Sequence, residues 1–102
     1  MAAEGLHADE QDREQLIESA RIALKSAGYR AFPRVGMGGK QYAIEIPYPS
    51  LPELSVILRC DRWDGRWVFR QTGCRPVADA DDLETLIGWV KDLVEPPFGP
   101  RT

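Results

Sequence analysis

Two thiols, one imidazole, a run of carboxylates and a set of guanidiniums around an indole are the groups here whose types could carry chemistry. The imidazole is His7, in the polar opening MAAEGLHADEQ. The thiols are Cys60 and Cys74, and neither has a histidine nearby to act as base. A cysteine without such a partner stays protonated near neutral pH and is a poor nucleophile. Two cysteines with no adjacent histidine also fall short of the four ligands of a structural zinc site. The acidic run Asp79, Asp81, Asp82 and Glu84 lacks the spacing and the sharp-turn glycine of a calcium loop. It reads instead as a solvated helix start. Gly36 to Lys40, GMGGK, resembles a phosphate-binding loop in composition alone. Its spacing differs from a P-loop, and the segment after it is β-like, so no helix N-terminus would face an anion. A catalytic role at Cys60 or Cys74 is therefore the weakest reading. No enzyme activity, metal or cofactor is expected.

The guanidiniums are more informative. Of 13 basic residues only Lys25, Lys40 and Lys91 are lysines; the rest are arginines, on a chain whose net charge is −3. Arginine pairs in a planar fork and stacks on aromatic rings, where lysine offers a hydrated point charge. Arg59, Trp63, Arg66 and Arg70 alternate in two β-like runs, and Arg34 lies in a third. Three readings of this patch compete. The arginines can pair with Glu45 and Asp61, their stems covering Val68 and Ile57 while the heads stay wet. The patch can dock an acidic protein partner, since Trp and Arg are enriched at binding hot spots. It can also bind single-stranded nucleic acid by stacking bases on Trp63. The acidic balance, with a pI near 5.1, weighs against the last.

These side chains share a face only if the elements beneath them form. The central element is Leu54 to Gln71, in which two apolar runs flank Asp64-Gly65. A two-residue Asp-Gly loop predicts a type I′ hairpin. Its register pairs Trp63 with Arg66, Arg62 with Trp67, Asp61 with Val68, Cys60 with Phe69 and Arg59 with Arg70. Leu54, Val56, Leu58, Cys60, Trp67 and Phe69 then face the core. Ile57, Arg59, Trp63, Arg66, Val68 and Arg70 face away. Arg59 and Arg70, like charges directly opposite, need an acidic neighbour. Glu45 is the expected one.

The rest of the chain covers the core side. Residues 1–11 have no period and read as a flexible tail. Asp12 caps a helix that carries Leu16, Ile17, Ala20, Ala23, Leu24 and Ala27 on one face and ends at Gly28. Ile22 points away from that face. Tyr29 to Val35 is a strand confined to an edge by Pro33. Gln41 to Tyr48 alternates, with Tyr42, Ile44, Ile46 and Tyr48 inward. PSLPE joins it to the hairpin, with Leu51 tucked in. Thr72 to Ala78 reads as a turn-rich connection. Asp79 or Asp81 caps a second helix, Asp81 forming a box with Glu84. Its stripe is Leu83, Leu86, Ile87, Val90, Leu93 and Val94, and it stops at Glu95 before Pro96-Pro97. Residues 96–102 form an extended tail whose Phe98 can dock on the domain.

The expected fold is α+β, a single domain spanning 12–95. Its order is α-β-β-β-β-α, a four-stranded antiparallel meander with both helices on one face. A hydrophobic content of 43% suits a globular chain. No secretory signal and no run of the roughly 20 apolar residues a spanning helix needs is present. A reducing cytoplasm is the expected compartment. The strand holding Trp67 is a second possible edge, leaving either a monomer or a homodimer through an edge strand. The order resembles that of double-stranded RNA-binding domains, which read RNA with basic residues at the start of their last helix. Here that segment is Asp79-Ala80-Asp81-Asp82, of opposite sign, so the resemblance extends to layout only. Type III secretion chaperones share the helices-on-one-side arrangement, also as layout only. The expected function is a non-enzymatic adaptor, chaperone-like or immunity-like binding module. It would act through Arg34, Arg59, Trp63, Arg66 and Arg70 on a protein partner, nucleic acid being the alternative.

Overall fold

The computed structural model describes residues 2–94, with side chains from residue 12 onward. Helix α1 spans Ala2–Ser26. Strands follow at Phe32–Val35 (β1), Gln41–Pro47 (β2), Ser55–Trp63 (β3), Arg66–Arg70 (β4) and Pro76–Asp79 (β5). Helix α2 is Leu83–Val94. The strands form one antiparallel sheet in the order β1-β2-β3-β4-β5. The α+β class stands, but the sheet has five strands where four were expected.

The additional strand, β5, lies in the segment read as a connection. Four residues opening on a proline show no usable alternation. Pairing makes this segment a strand: Phe69 sits opposite Ala78 and Val68 opposite Asp79. The Ala80 N–H donates to the Trp67 carbonyl at 2.9 Å just beyond. β4 is therefore interior, which overturns its expected role as an unprotected edge. The true edges, β1 and β5, each carry a proline, Pro33 and Pro76.

Helix α1 starts earlier than Asp12; its backbone is already helical from Ala2. Ala, Glu and Gln are strong helix formers, and without an apolar stripe they give no periodic signal. Ile17, Ala20 and Leu24 are fully buried as the spacing requires, and Ile22 is exposed. Ala27 is exposed in the closing turn. There Gly28, at φ 100°, ends the helix in a Schellman motif. The Tyr29 N–H donates to Leu24 and the Gly28 N–H to Lys25, both at 3.0 Å.

One core cluster joins both helices to one sheet face. Ile44, Ile46, Val56, Leu58, Cys60 and Phe69 meet Ile17 and Leu24 of α1 and Leu86, Val90 and Val94 of α2. Trp67, Tyr48, Leu83, Ile87, Trp89 and Leu93 pack at its margin. Leu51 and Leu54, expected inward, are about half exposed. They belong to a tight turn, with Leu54 N–H donating to the Leu51 carbonyl and Tyr48 N–H to the Leu54 carbonyl, both at 2.9 Å. The cap of α2 is Asp82 and not Asp79 or Asp81. Its Oδ1 accepts from the Thr85 N–H at 3.2 Å and its Oδ2 from the Thr85 hydroxyl at 2.7 Å. The turn after β5, closed by the Asp82 N–H on the Asp79 carbonyl, delays the helix by one residue. The readings made for Glu95 and Phe98 lie outside the described residues.

Candidate functional site

The hairpin that carries the site forms as its turn chemistry demands. Asp64 has φ 54° and Gly65 φ 81°, both left-handed, as a type I′ loop requires. The register is the expected one, from Trp63 opposite Arg66 to Arg59 opposite Arg70. Neighbouring strands extend one row of this register across the face that no helix covers. Arg34 lies opposite Ala43, Ala43 opposite Arg59, and Arg59 opposite Arg70. Three arginines thus share a single cross-strand rung, with the small, fully buried Ala43 between two of them.

The balancing carboxylates stand on the rungs either side, two residues away along the strands. Glu45 takes Arg34: Nη1 donates to Oε1 at 3.1 Å, and the Ser55 hydroxyl donates to Oε2 at 2.9 Å. Asp61 takes both remaining members. The Nε of Arg59 and the Nε of Arg70 each lie 3.1 Å from the same Oδ2. The expectation that Glu45 would balance Arg59 and Arg70 is therefore corrected. The β1–β2 register brings Arg34 to Glu45 first, and Asp61 lies between the other two. Arg66 forms a separate ion pair with Asp79 at 3.4 Å.

Aromatic rings interleave with the rung. Arg70 lies 5.4 Å over Trp63, and Arg59 lies 5.4 Å over Tyr42. Tyr42 was expected in the core. The β1–β2 register slips between Arg34 and Val35, so that Ala43 and Gln41 have partners while Tyr42 is the extra residue of a bulge. The bulge turns its ring to the arginine side. Tyr42 is thus a site residue that alternation alone misses; the glycines just before it are the only sequence hint of irregular pairing. Hydrogen bonding to Tyr42, and then to Glu45, raises the Arg34 pKa above its ordinary value. The Arg34 hydrogen bond, then Ser55, holds Glu45 below the usual carboxylate range.

Small and branched apolar side chains sit beneath this face. Val68 and Ala43 lie on this open face, yet neither is exposed. All five residues singled out from sequence, Arg34, Arg59, Trp63, Arg66 and Arg70, are on one surface. Each arginine among them has an acidic partner. Trp63 is 39% exposed.

Other chemistry-bearing groups are dispersed. Cys60 is buried and Cys74 exposed, and both are free thiols. Burial pushes the Cys60 thiol up to about 12. Among the described residues no three His, Cys, Asp or Glu side chains are placed to hold a metal ion, and no helix is long and apolar enough to cross a membrane. A cavity of about 350 Å³ lies beside Trp67, between Leu16 and Asp81. It gathers no nucleophile with a base. No protein-family model, curated protein or solved structure matches the chain.

Proposed function

We propose that the protein is a non-enzymatic binding module that docks an acidic protein partner on the open face of its sheet. One observation carries this reading. Three guanidiniums on one rung share two carboxylates, so the rung keeps an excess of one positive charge on a chain of net charge −3. Trp63 and Tyr42 flank it as rigid aromatic contacts that lose little entropy on binding. The stacked rings hold Arg59 and Arg70 in place before any partner arrives, which lowers the cost of ordering them. A single excess charge is a small footprint for a nucleic-acid backbone, whose binders spread many cations along the strand.

The test is affinity capture from the native cell extract with three baits: wild type, Trp63→Ala/Arg70→Gln, and Ile22→Ser on the opposite side. A protein retained by wild type and by Ile22→Ser, but lost with the first variant, is the expected result. Equal retention on all three baits, or retention of nucleic acid alone, overturns the reading.

A further inference from the structure

Asp61 occupies an unusual position on this face. One oxygen of one carboxylate accepts from two guanidiniums that sit directly opposite each other on adjacent strands. Its side chain is 17% exposed, less than either arginine it joins. The Arg70 Nη1 is engaged by the Cys74 carbonyl at 3.1 Å. The two Nη groups of Arg59, by contrast, have no hydrogen-bond partner among the described residues. The pair therefore presents an open guanidinium fork beside a carboxylate that already fills the best position between two cations.

We infer that Asp61 is a built-in stand-in for a partner's carboxylate. It holds Arg59 and Arg70 together in the free protein and yields them to a Glu or Asp side chain of an acidic polypeptide. The inference rests on the proposed function and names the chemistry recognised at its centre. An incoming carboxylate takes the Nη fork of Arg59, the bidentate geometry arginine favours. It then competes with Asp61 for Arg70. The charge argument sets the sign: Asp61 with its two arginines sums to one positive charge, and removing the carboxylate raises this to two. The internal acid thus lowers affinity for every external one. It suits a polypeptide acid that supplies one carboxylate at this point, with Trp63 and Tyr42 contacting the flanking chain. Asp61 is a positioning and competing residue, and it need not touch the partner.

The test is calorimetric titration of the full chain with an oligo-glutamate peptide, and separately with an oligothymidylate, at low and high salt. Asp61→Asn is expected to tighten oligo-glutamate binding by roughly fivefold or more, and Arg59→Gln or Arg70→Gln to weaken it by a similar factor, within the range of single charge contacts. Asp79→Asn removes the same charge from the Arg66 pair and is expected to change affinity by less than about twofold. Asp61→Ser, with a cooperative thermal melt for each variant, covers the case in which the Asn variant does not fold. Weakening by the arginine variants without tightening by either Asp61 variant overturns the inference and leaves the proposed function standing. Equal tightening by Asp79→Asn overturns it in favour of a general charge effect. Binding of oligothymidylate alone overturns both.

Discussion

Cys60 and Cys74 differ in one physical respect, access to water, and that decides their chemistry. Burial pushes the Cys60 thiol up to about 12, against the pull of the nearby Arg13 guanidinium. Alkylation with iodoacetamide at pH 8 is expected to label Cys74 alone in the native protein and both thiols after denaturation. Intact mass measures the difference, and double labelling of the native state would contradict the burial. Glu45 gives a second prediction at this scale. Its carboxyl is held low by Arg34 and then Ser55. A lowered folded-state value stabilises above the ordinary carboxylate range of about 4.3 and loses that contribution as pH falls through the lowered value. Glu45→Gln should therefore be less stable than wild type in urea at pH 7. The gap should close on acidification toward about pH 2. A gap independent of pH would assign the loss to packing.

At the scale of elements, the two turns of highest consequence are the hairpin tip and the start of α2. Gly65 meets nothing within 4 Å where a Cβ would stand, so the cost of a side chain there is backbone strain at φ 81°. Gly65→Ala should lose about 1 kcal/mol. Gly65→Val should lose more, up to roughly 3 kcal/mol, because a β-branched residue tolerates left-handed backbone poorly. Asp82→Ala should lose about 1 kcal/mol through the cap, while Asp81→Ala should be nearly neutral. In a domain of this size about 1 kcal/mol is a melting shift of roughly 4–8 °C, which calorimetry resolves. Equal effects at Asp81 and Asp82 would place the cap elsewhere. The β1–β2 bulge matters for the site more than for stability, since it alone carries Tyr42 to Arg59.

The described residues form two layers, with both helices on one face of the sheet and no helix on the arginine-bearing face. Antiparallel sheets tolerate such an open face. Both edges are short and carry a proline, which withholds a ladder donor and discourages pairing with another chain. The expected outcome in sizing with light scattering is a monomer of 11.5 kDa, unchanged over an about hundredfold concentration range. A dimer that survives substitution on the open face would point to an edge after all.

Much of the fold was legible because its signals are local. The Asp64-Gly65 bend follows from left-handed sterics, the stripes of Ile17-Leu24 and Leu86-Val90 from a 3.6-residue period, and the Gly28 stop from its missing Cβ. Each is decided within a few residues of chain, so sequence suffices. The hairpin also set Arg59, Trp63, Arg66 and Arg70 on one side, since a fixed turn imposes the register of both arms. Arg34 joined them only through the β1–β2 pairing, Tyr42 only through the bulge, and β5 exists as a strand only because β4 offers it a partner. Asp61, two residues from Arg59 and nine from Arg70, is the acid between them within the hairpin itself, so its place was implied by the register. What tertiary structure alone decided is that Arg34 takes Glu45, because that contact depends on β1 pairing with β2 and not on any signal within the hairpin.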